Sequence, residues 1–264
     1  MIIFKVTNQL LKISMKYLVA LFFICFSFTA KSQILNAESL RKVTDTSGFS
    51  GSVSLGFSLK RDVNDYFAFS SSTHLQYKMN KHLVLLKNDI ELKNIEGNKF
   101  ENAGITHLRY NYRFHPRIAW EVFAQAQYNK VSKIDFRGLV GIGPRFKLTT
   151  SEKYKFYLGT HIMYEQEELS DGVTPLQRDF RSTSYLSFSL YPTETISLVS
   201  TTYYQPKLKN FSDYRLSNQS SLLIDLFKNF AFKTTYTFIY DETPAIGIPN
   251  SQYNLESGFV YSFD

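Results

Sequence analysis

The sequence predicts an all-β fold, a single antiparallel transmembrane β-barrel of about twelve strands and of the outer-membrane type. Three observations lead to this fold class. Apolar and polar residues alternate along most of the chain, charged residues keep to one of the two faces so defined, and short and long connections alternate. A closed barrel with lipid outside and water inside produces all three patterns.

The alternation defines twelve segments that are long enough to be strands. In "IAWEVFAQAQYNK", residues 118–130, Trp120 and Val122 share a face with two alanines, whereas Glu121 shares the other face with two glutamines. At about 3.3 Å per residue, such a strand crosses a membrane when it is tilted. The expected strands span residues 48–60, 66–79, 82–94, 102–114, 117–130, 135–148, 154–167, 179–191, 195–205, 214–226, 230–241 and 252–263.

Charge separates the two faces more sharply than hydrophobicity does. Apart from Lys130, at the very end of its strand, the twelve apolar faces carry no Asp, Glu, Lys or Arg, and a Lys or Arg at mid-bilayer costs about 2–4 kcal/mol. A soluble secreted barrel with its apolar face inward is the alternative, and alternation alone leaves it open. The many large apolar side chains, and the polar faces that mix charges with Ser, Thr, Gly and Gln, favour the membrane barrel. Its expected lumen charges are Arg109, Arg113, Glu121, Arg137, Arg145 and Glu165.

The connections assign the two ends of the barrel. Short turns follow the even-numbered strands, as at residues 80–81 and 115–116, and longer loops mostly follow the odd-numbered ones, as at 166–178 and 241–251. Outer-membrane barrels have short periplasmic turns and longer external loops. We therefore expect a periplasmic aromatic girdle and an external one. The periplasmic girdle would include Trp120, Tyr154 and Phe230, and the external one Tyr128 and Tyr164.

The N-terminal residues have the features of a secretory signal. Lys16 precedes a run of 14 apolar residues, 17–30, which is too short for a spanning helix, and "AKSQ" provides a cleavage site before Gln33. An uncleaved N-terminal anchor is the alternative. The domains are then a signal peptide at 1–32, a short periplasmic segment at 33–46 and the barrel at 47–264. Cys25, the single cysteine, would be removed, which leaves no thiol chemistry.

The net charge gives no reason to expect a nucleic-acid partner. The chain has a formal charge of +7, but four of its lysines lie in the leader and no acidic residue does, so the mature chain has 26 basic and 23 acidic residues, a net +3. Nucleic-acid-binding domains are far more basic. The expected partners are the lipid bilayer, lipopolysaccharide and, during biogenesis, the outer-membrane assembly machinery, and no cofactor is expected.

The chain ends in "GFVYSFD", which is similar to the C-terminal strand signal that the assembly machinery recognises. Gly258, Tyr261 and Phe263 have the spacing of that signal, whereas Asp264 departs from it because the aromatic residue is usually last. The resemblance implies that the final strand directs insertion into the outer membrane.

The middle of the chain resembles a known family. "YNYRFHPRIAWEVFAQAQYNKVSKIDFRGLVGIGPRFKL" is similar to the YdiY-like family, whose members are labelled salt-induced outer-membrane proteins and have no established activity. The similarity is greatest over residues 102–168 and includes the pattern of Gly141, Gly143 and Phe146. It implies an outer-membrane barrel. In "GLVGIGP", small residues would let a lumen side chain or a neighbouring backbone approach closely, and Pro144 would remove one ladder hydrogen bond.

The turn lengths predict which lumen charges face each other. If Leu148 pairs with Tyr154, then Arg145 lies opposite Tyr157 and Arg137 opposite Glu165, and the same register sets Gly141 opposite His161. The turn at "HPR" sets Asn111 opposite Glu121, with Arg109 and Arg113 diagonal to it. Ion pairs across a twelve-stranded lumen predict a narrow channel at most.

No set of residues stands out as catalytic or metal-binding. None of the five histidines has a partner at metal-ligand spacing. The best catalytic candidate is His74 with Ser72 and Asp89, and chance alone would place such residues in a polar lumen. A non-enzymatic barrel, either a narrow pore or a structural envelope protein, is therefore expected. The alternative is a barrel hydrolase that acts on lipid or peptide.

Overall fold

The computed structural model describes residues 47–61, 65–95, 99–100, 102–149, 151 and 153–263, and all the regular elements there are strands. The expected signal peptide and the segment 33–46 lie outside the described residues. No helix in the described part is long and apolar enough to cross a membrane. The strands are β1 Gly48–Arg61, β2 Asp65–Met79, β3 His82–Ile95, β4 Lys99–Phe100, β5 Ala103–His115, β6 Ile118–Asn129, β7 Ile134–Lys147, β8 Tyr154–Leu169, β9 Gln177–Leu190, β10 Ile196–Pro206, β11 Tyr214–Phe227, β12 Phe230–Asp241 and β13 Ser251–Phe263.

Twelve long strands close into a barrel. Each pairs antiparallel with its neighbours, and β1 pairs with both β2 and β13. The two-residue β4 only extends the end of β3. The seam between β1 and β13 is short, with four register pairs from Gly51↔Phe263 to Ser54↔Val260. The predicted fold class is confirmed, and each predicted strand end lies within two residues of the observed one.

Turn chemistry explains the tight connections. Asn80 and Asn229 adopt positive φ angles of 53° and 69° in the turns after β2 and β11, and asparagine tolerates this left-handed conformation in two-residue hairpins. The longer connections, residues 170–176, 207–213 and 242–250, all lie at the other end of the barrel. Gly48 and Phe263 therefore share the short-turn end, as predicted.

The alternation in sequence becomes an alternation in exposure. On β6, Trp120 is 46% exposed on the outer face, whereas the neighbouring Glu121 is 0% exposed in the lumen. The outer face continues through exposed Leu, Ile, Val and aromatic side chains on every long strand. The apolar face therefore points outward, which is the reverse of a soluble barrel.

Aromatic side chains form contacts at both rims of the outer face. At the short-turn end, the ring of Phe230 lies 5.0 Å from Phe227 and 5.2 Å from Tyr261, measured between centroids. At the long-loop end, Tyr214 lies 5.5 Å from both Tyr204 and Tyr240. Trp120 and Tyr154 are also exposed at the short-turn end and Tyr128 at the other. Their depth in a membrane stays a prediction.

The small residues of β7 allow close packing, as predicted. A Cβ atom on Gly141 would collide with the ring of Phe123, and one on Gly143 would collide with the backbone carbonyl oxygen of Thr160. Pro144 pairs in register with Trp120 on β6, whereas the described register with β8 passes over it. Glycine at 141 and 143 therefore brings β8 and the lumen aromatics close to β7.

Candidate functional site

The outer half of the lumen is centred on Glu165, which extends from β8. Its side chain is 1% exposed and contacts three arginines on three other strands. The distances are 2.6 Å from Arg137 Nη2, 3.0 Å from Arg181 Nε and 2.8 Å from Arg215 Nη1. One buried carboxylate therefore joins β7, β8, β9 and β11 through charge-assisted hydrogen bonds.

Further acidic groups balance these arginines. Arg215 also contacts Glu167 at 2.7 Å and Asp241 at 2.6 Å, and Arg181 lies 3.3 Å from Asp213. Lys207 lies 2.9 Å from Asp213 and 3.1 Å from Asp179. These residues form the outer lumen cluster, which has nine members: Arg137, Arg181, Lys207, Arg215, Glu165, Glu167, Asp179, Asp213 and Asp241. It crosses the lumen from β7 to β12.

The predicted contact between Arg137 and Glu165 is formed, but the predicted register was wrong by two residues. Arg137 lies opposite Glu167, and the observed partners of Arg145 and Gly141 are Gly159 and Met163. The cause is the turn, in which the backbone N–H of Leu148 donates to Phe156 rather than pairing with Tyr154. A shift of two residues keeps every side chain on its face, so Arg137 still contacts Glu165 diagonally.

Glu121 is the centre of a second cluster, deeper in the lumen. Asn111 Nδ2 donates to Glu121 Oε1 at 2.7 Å, and the Tyr185 hydroxyl donates to Oε2 at 2.7 Å. His161 Nε2 lies 3.2 Å from Oε2, and Arg109 Nη1 lies 3.6 Å from it. Arg145 Nε lies 3.7 Å from Oε1. The predicted register of Asn111 with Glu121 is confirmed.

Arg113, the other predicted diagonal neighbour of Glu121, directly follows the last regular register pair of β5 with β6, Tyr112↔Trp120. Arg113 is exposed at the short-turn end, where its backbone N–H donates to the Lys81 carbonyl oxygen. The register of β5 with β6 shifts between Tyr112 and His115. Arg113 lies within this irregular strand end, and its role as a lumen charge stays a prediction.

Aromatic side chains that were not predicted to face the lumen fill the space between the two clusters. Tyr185 is 2% exposed, and its ring stacks on His161 at 5.7 Å and lies tilted against Tyr203 at 5.3 Å. Phe123 lies 5.7 Å from His161. A cavity of about 30 Å³ remains among these side chains, which is room for about one water molecule. The signal in the sequence was a large aromatic residue on the polar face of β9, between Thr183 and Ser187.

Replacing Tyr185 with phenylalanine should destabilise the barrel by about 1–3 kcal/mol, because Glu121 then loses one of its hydrogen bonds while it remains buried. Urea unfolding of the refolded protein in lipid vesicles measures the change. Tyr204→Phe, on the exposed outer face, should change stability by less than about 0.5 kcal/mol. Equal stability of the two variants would contradict this role for Tyr185.

The connection between β12 and β13, residues 242–250, crosses the outer mouth and is called the mouth loop here. Lys133, in the β6–β7 connection on the opposite side of the barrel, donates from Nζ to the Ile246 carbonyl oxygen at 2.7 Å. The Ile246 N–H donates to Asp171 Oδ2 at 3.3 Å. Ala245 is only 5% exposed. The pKa of Asp171 is held well below its usual range, chiefly by hydrogen bonds from Thr174.

The candidate catalytic residues do not form a nucleophile–base pair. The Ser72 hydroxyl donates to Asp89 at 2.6 Å, and Lys87 lies 2.9 Å from the same carboxylate. His74 is buried in the lumen wall at 2% exposure. The hydroxyl proton is thus directed to a carboxylate rather than to a histidine base. Among the described residues, no group of three or more His, Cys, Asp or Glu could hold a metal ion.

The expected assembly residues lie on the closing strand. Tyr261 is exposed on the outer face, Phe263 pairs in register with Gly51 of β1, and Gly258 faces the lumen opposite Lys233. Their role in assembly stays a prediction.

Comparison with solved structures finds similar barrels at low identity. The NanC porin has a TM-score of 0.49 and 9% identity, over 81% of this chain and 98% of that one. The translocator domain of the autotransporter NalP from Neisseria meningitidis has 0.47 and 8%, over 82% and 89%. The KdgM porin has 0.44 and 12%, over 81% and 99%.

Sequence comparison finds no match among the curated proteins. One family model matches residues 53–263, which include nearly the whole barrel and the segment that resembles the YdiY-like proteins. The chain belongs to this family, which is described as proteins of unknown function, DUF481.

Proposed function

We propose that the protein is an integral outer-membrane barrel without enzymatic activity that forms a narrow, largely occluded pore. The observation that carries this proposal is the contact of Glu165 with three arginines from three other strands. Such a cluster occupies the space through which a solute would pass. The runner-up, a structural envelope protein with a sealed lumen, predicts no conductance at all.

The outer face supports the membrane placement. Between Phe230 and Tyr240, at the two aromatic rims of β12, the strand advances by ten residues. This corresponds to about 25 Å along the barrel axis at a usual tilt, the height of the apolar band of outer-membrane barrels. Placing this face in water instead would expose large apolar side chains on every long strand.

The route to the membrane and the partners there are part of the same proposal. A signal peptide, residues 1–32, would direct secretion, and the closing strand with Gly258, Tyr261 and Phe263 would engage the assembly machinery. In the membrane the outer face would contact lipid and the long-loop end would contact lipopolysaccharide. Fractionation and mass spectrometry of the mature N-terminus test both points. A protein recovered from the soluble periplasm, or with its leader intact, would contradict them.

Changing Arg137 and Glu165 together to serine should raise the single-channel conductance in planar bilayers. The double variant removes two large side chains from the outer lumen cluster without changing net charge, while Arg181 and Arg215 keep Asp213, Glu167 and Asp241 as partners. A wider and wetter lumen conducts more ions. Lys130→Ser with Asp135→Ser, an exposed ion pair beside the β6–β7 connection, is the matched control and should have no effect. No rise in a double variant that still folds would reject a constriction at this site.

A further inference from the structure

The outer face of β9, β10 and β11 interrupts its apolar band with small polar side chains. On β11, Asn218 and Ser220 are successive outward residues between Leu216 and Leu222. The same apolar–polar–polar–apolar order occurs on β9 and β10, also halfway along the strands. The polar patch, as it is named here, consists of Ser182, Ser184, Ser200, Thr202, Asn218 and Ser220.

Hydrogen bonds across two strands hold the centre of the polar patch in place. Asn218 Nδ2 donates to Thr202 Oγ1 at 2.9 Å and to Ser200 Oγ at 3.1 Å. The Ser220 hydroxyl donates to Asn218 Oδ1 at 2.9 Å and lies 2.8 Å from Ser200 Oγ. An amide oxygen or a hydroxyl oxygen has two acceptor sites. The cluster is therefore preorganised and can accept further hydrogen bonds.

In hydrocarbon, polar side chains are stabilised by contact with other polar groups. This step rests on the proposed membrane placement. Lipid chains offer no hydrogen bonds, so polar side chains at this depth favour contact with another protein, and small side chains allow close approach of two walls. Larger exposed side chains lie beside these polar residues, because Leu186 and Tyr204 pair in register with Thr202 and Ser184, and Leu222 follows Ser220 on the outer face of β11.

We propose that the polar patch is an interface between two copies of this chain, related by a two-fold axis in the outer membrane. In such an interface the same surface meets itself, so it must be self-complementary. The polar patch meets this condition because each copy presents both donors, the amide N–H groups and hydroxyls, and acceptors, the amide and hydroxyl oxygens. Asn218, near its centre, is the residue on which the contact depends most.

Cysteine cross-linking in outer-membrane vesicles tests the interface. Cys25 is the single cysteine of the sequence, and it is replaced by serine. Ser220→Cys then places one thiol in the polar patch, and Ile90→Cys places one on the outer face of β3, on the opposite wall. A short thiol cross-linker should yield dimers with Ser220→Cys and none with Ile90→Cys. No dimer, or equal dimer at both positions, would overturn the proposal.

A matched pair of asparagine variants tests whether the hydrogen bonds of Asn218 stabilise the dimer. In the Ser220→Cys protein, Asn218→Leu should lower the cross-linked fraction about tenfold, the effect of one to two lost hydrogen bonds in a membrane. Asn88→Leu removes another lipid-facing asparagine, which donates to Thr106 at 2.8 Å on the opposite wall, and should leave the fraction unchanged. An equal effect of both would overturn the role of Asn218. Recovery outside the membrane fraction would instead overturn the membrane placement, and this inference with it.

Discussion

Replacing Glu165 with glutamine should destabilise the folded barrel by about 3–5 kcal/mol, the usual cost of removing one partner from a buried ion pair. Glutamine has nearly the same shape, so the loss isolates the charge. Arg137, Arg181 and Arg215 would remain close together around a neutral amide that cannot accept strong hydrogen bonds from all three. Urea unfolding in lipid vesicles, with the electrophoretic mobility shift of the folded barrel as a second measure, reports the change.

Asp241→Asn is the matched control for this prediction. Asp241 also contacts Arg215, at 2.6 Å, but it is 19% exposed, and Arg215 would keep Glu165 and Glu167. Because Asp241 keeps more contact with solvent than Glu165 and pairs with only one arginine, this variant should lose less stability than Glu165→Gln. If Glu165→Gln lost no more than Asp241→Asn, Glu165 would not be the centre of the cluster. The Arg137→Ser, Glu165→Ser variant should lose less than Glu165→Gln, since it removes a cation together with the carboxylate.

The fold could be predicted because lipid outside and water inside impose a two-residue period on every strand. Trp120 and Glu121 are neighbours in sequence and lie on opposite faces of the wall, and the phase of each strand could be derived from such pairs. The two-residue β4 was missed because two residues are too few to show an alternation.

The site was predicted only where the partners lie on neighbouring strands. The register of Asn111 with Glu121 and the contact of Arg137 with Glu165 follow from short turns on the polar face. The contact of Arg215 with Glu165 joins β11 to β8 across the lumen. It depends on how the barrel curves, which strand alternation does not encode. The register error at β7–β8 arose because a five-residue turn has several closures that keep the same face inward.

In the proposed pore, the outer lumen cluster and the mouth loop would act in series along one path. The mouth loop is tied to the opposite side of the barrel by Lys133 and Asp171, above the arginines that surround Glu165. Resistances in series add, so widening one constriction has its full effect only when the other is already wide. The contribution of the mouth loop should therefore be small in the natural protein and large once the cluster below it has been opened.

Replacing Lys133 and Asp171 with alanine should therefore raise conductance severalfold in the Arg137→Ser, Glu165→Ser background and little in the natural protein. Lys153→Ala with Glu194→Ala, an opposite-charge pair of exposed residues at the short-turn end, is the control and should change neither conductance.

Acid should not produce the same rise in conductance as the replacement of Lys133 and Asp171. The pKa of Asp171 lies well below its usual range because Thr174 donates to its carboxylate. Because the folded pKa of Asp171 lies below the unfolded value of about 3.9, the contribution of its charged form is fully present above pH 4. That contribution is lost only as pH falls through the lower folded pKa. Conductance should therefore stay constant from pH 7 to about pH 4. Equal increases in both backgrounds would show that the mouth loop does not lie in series with the cluster.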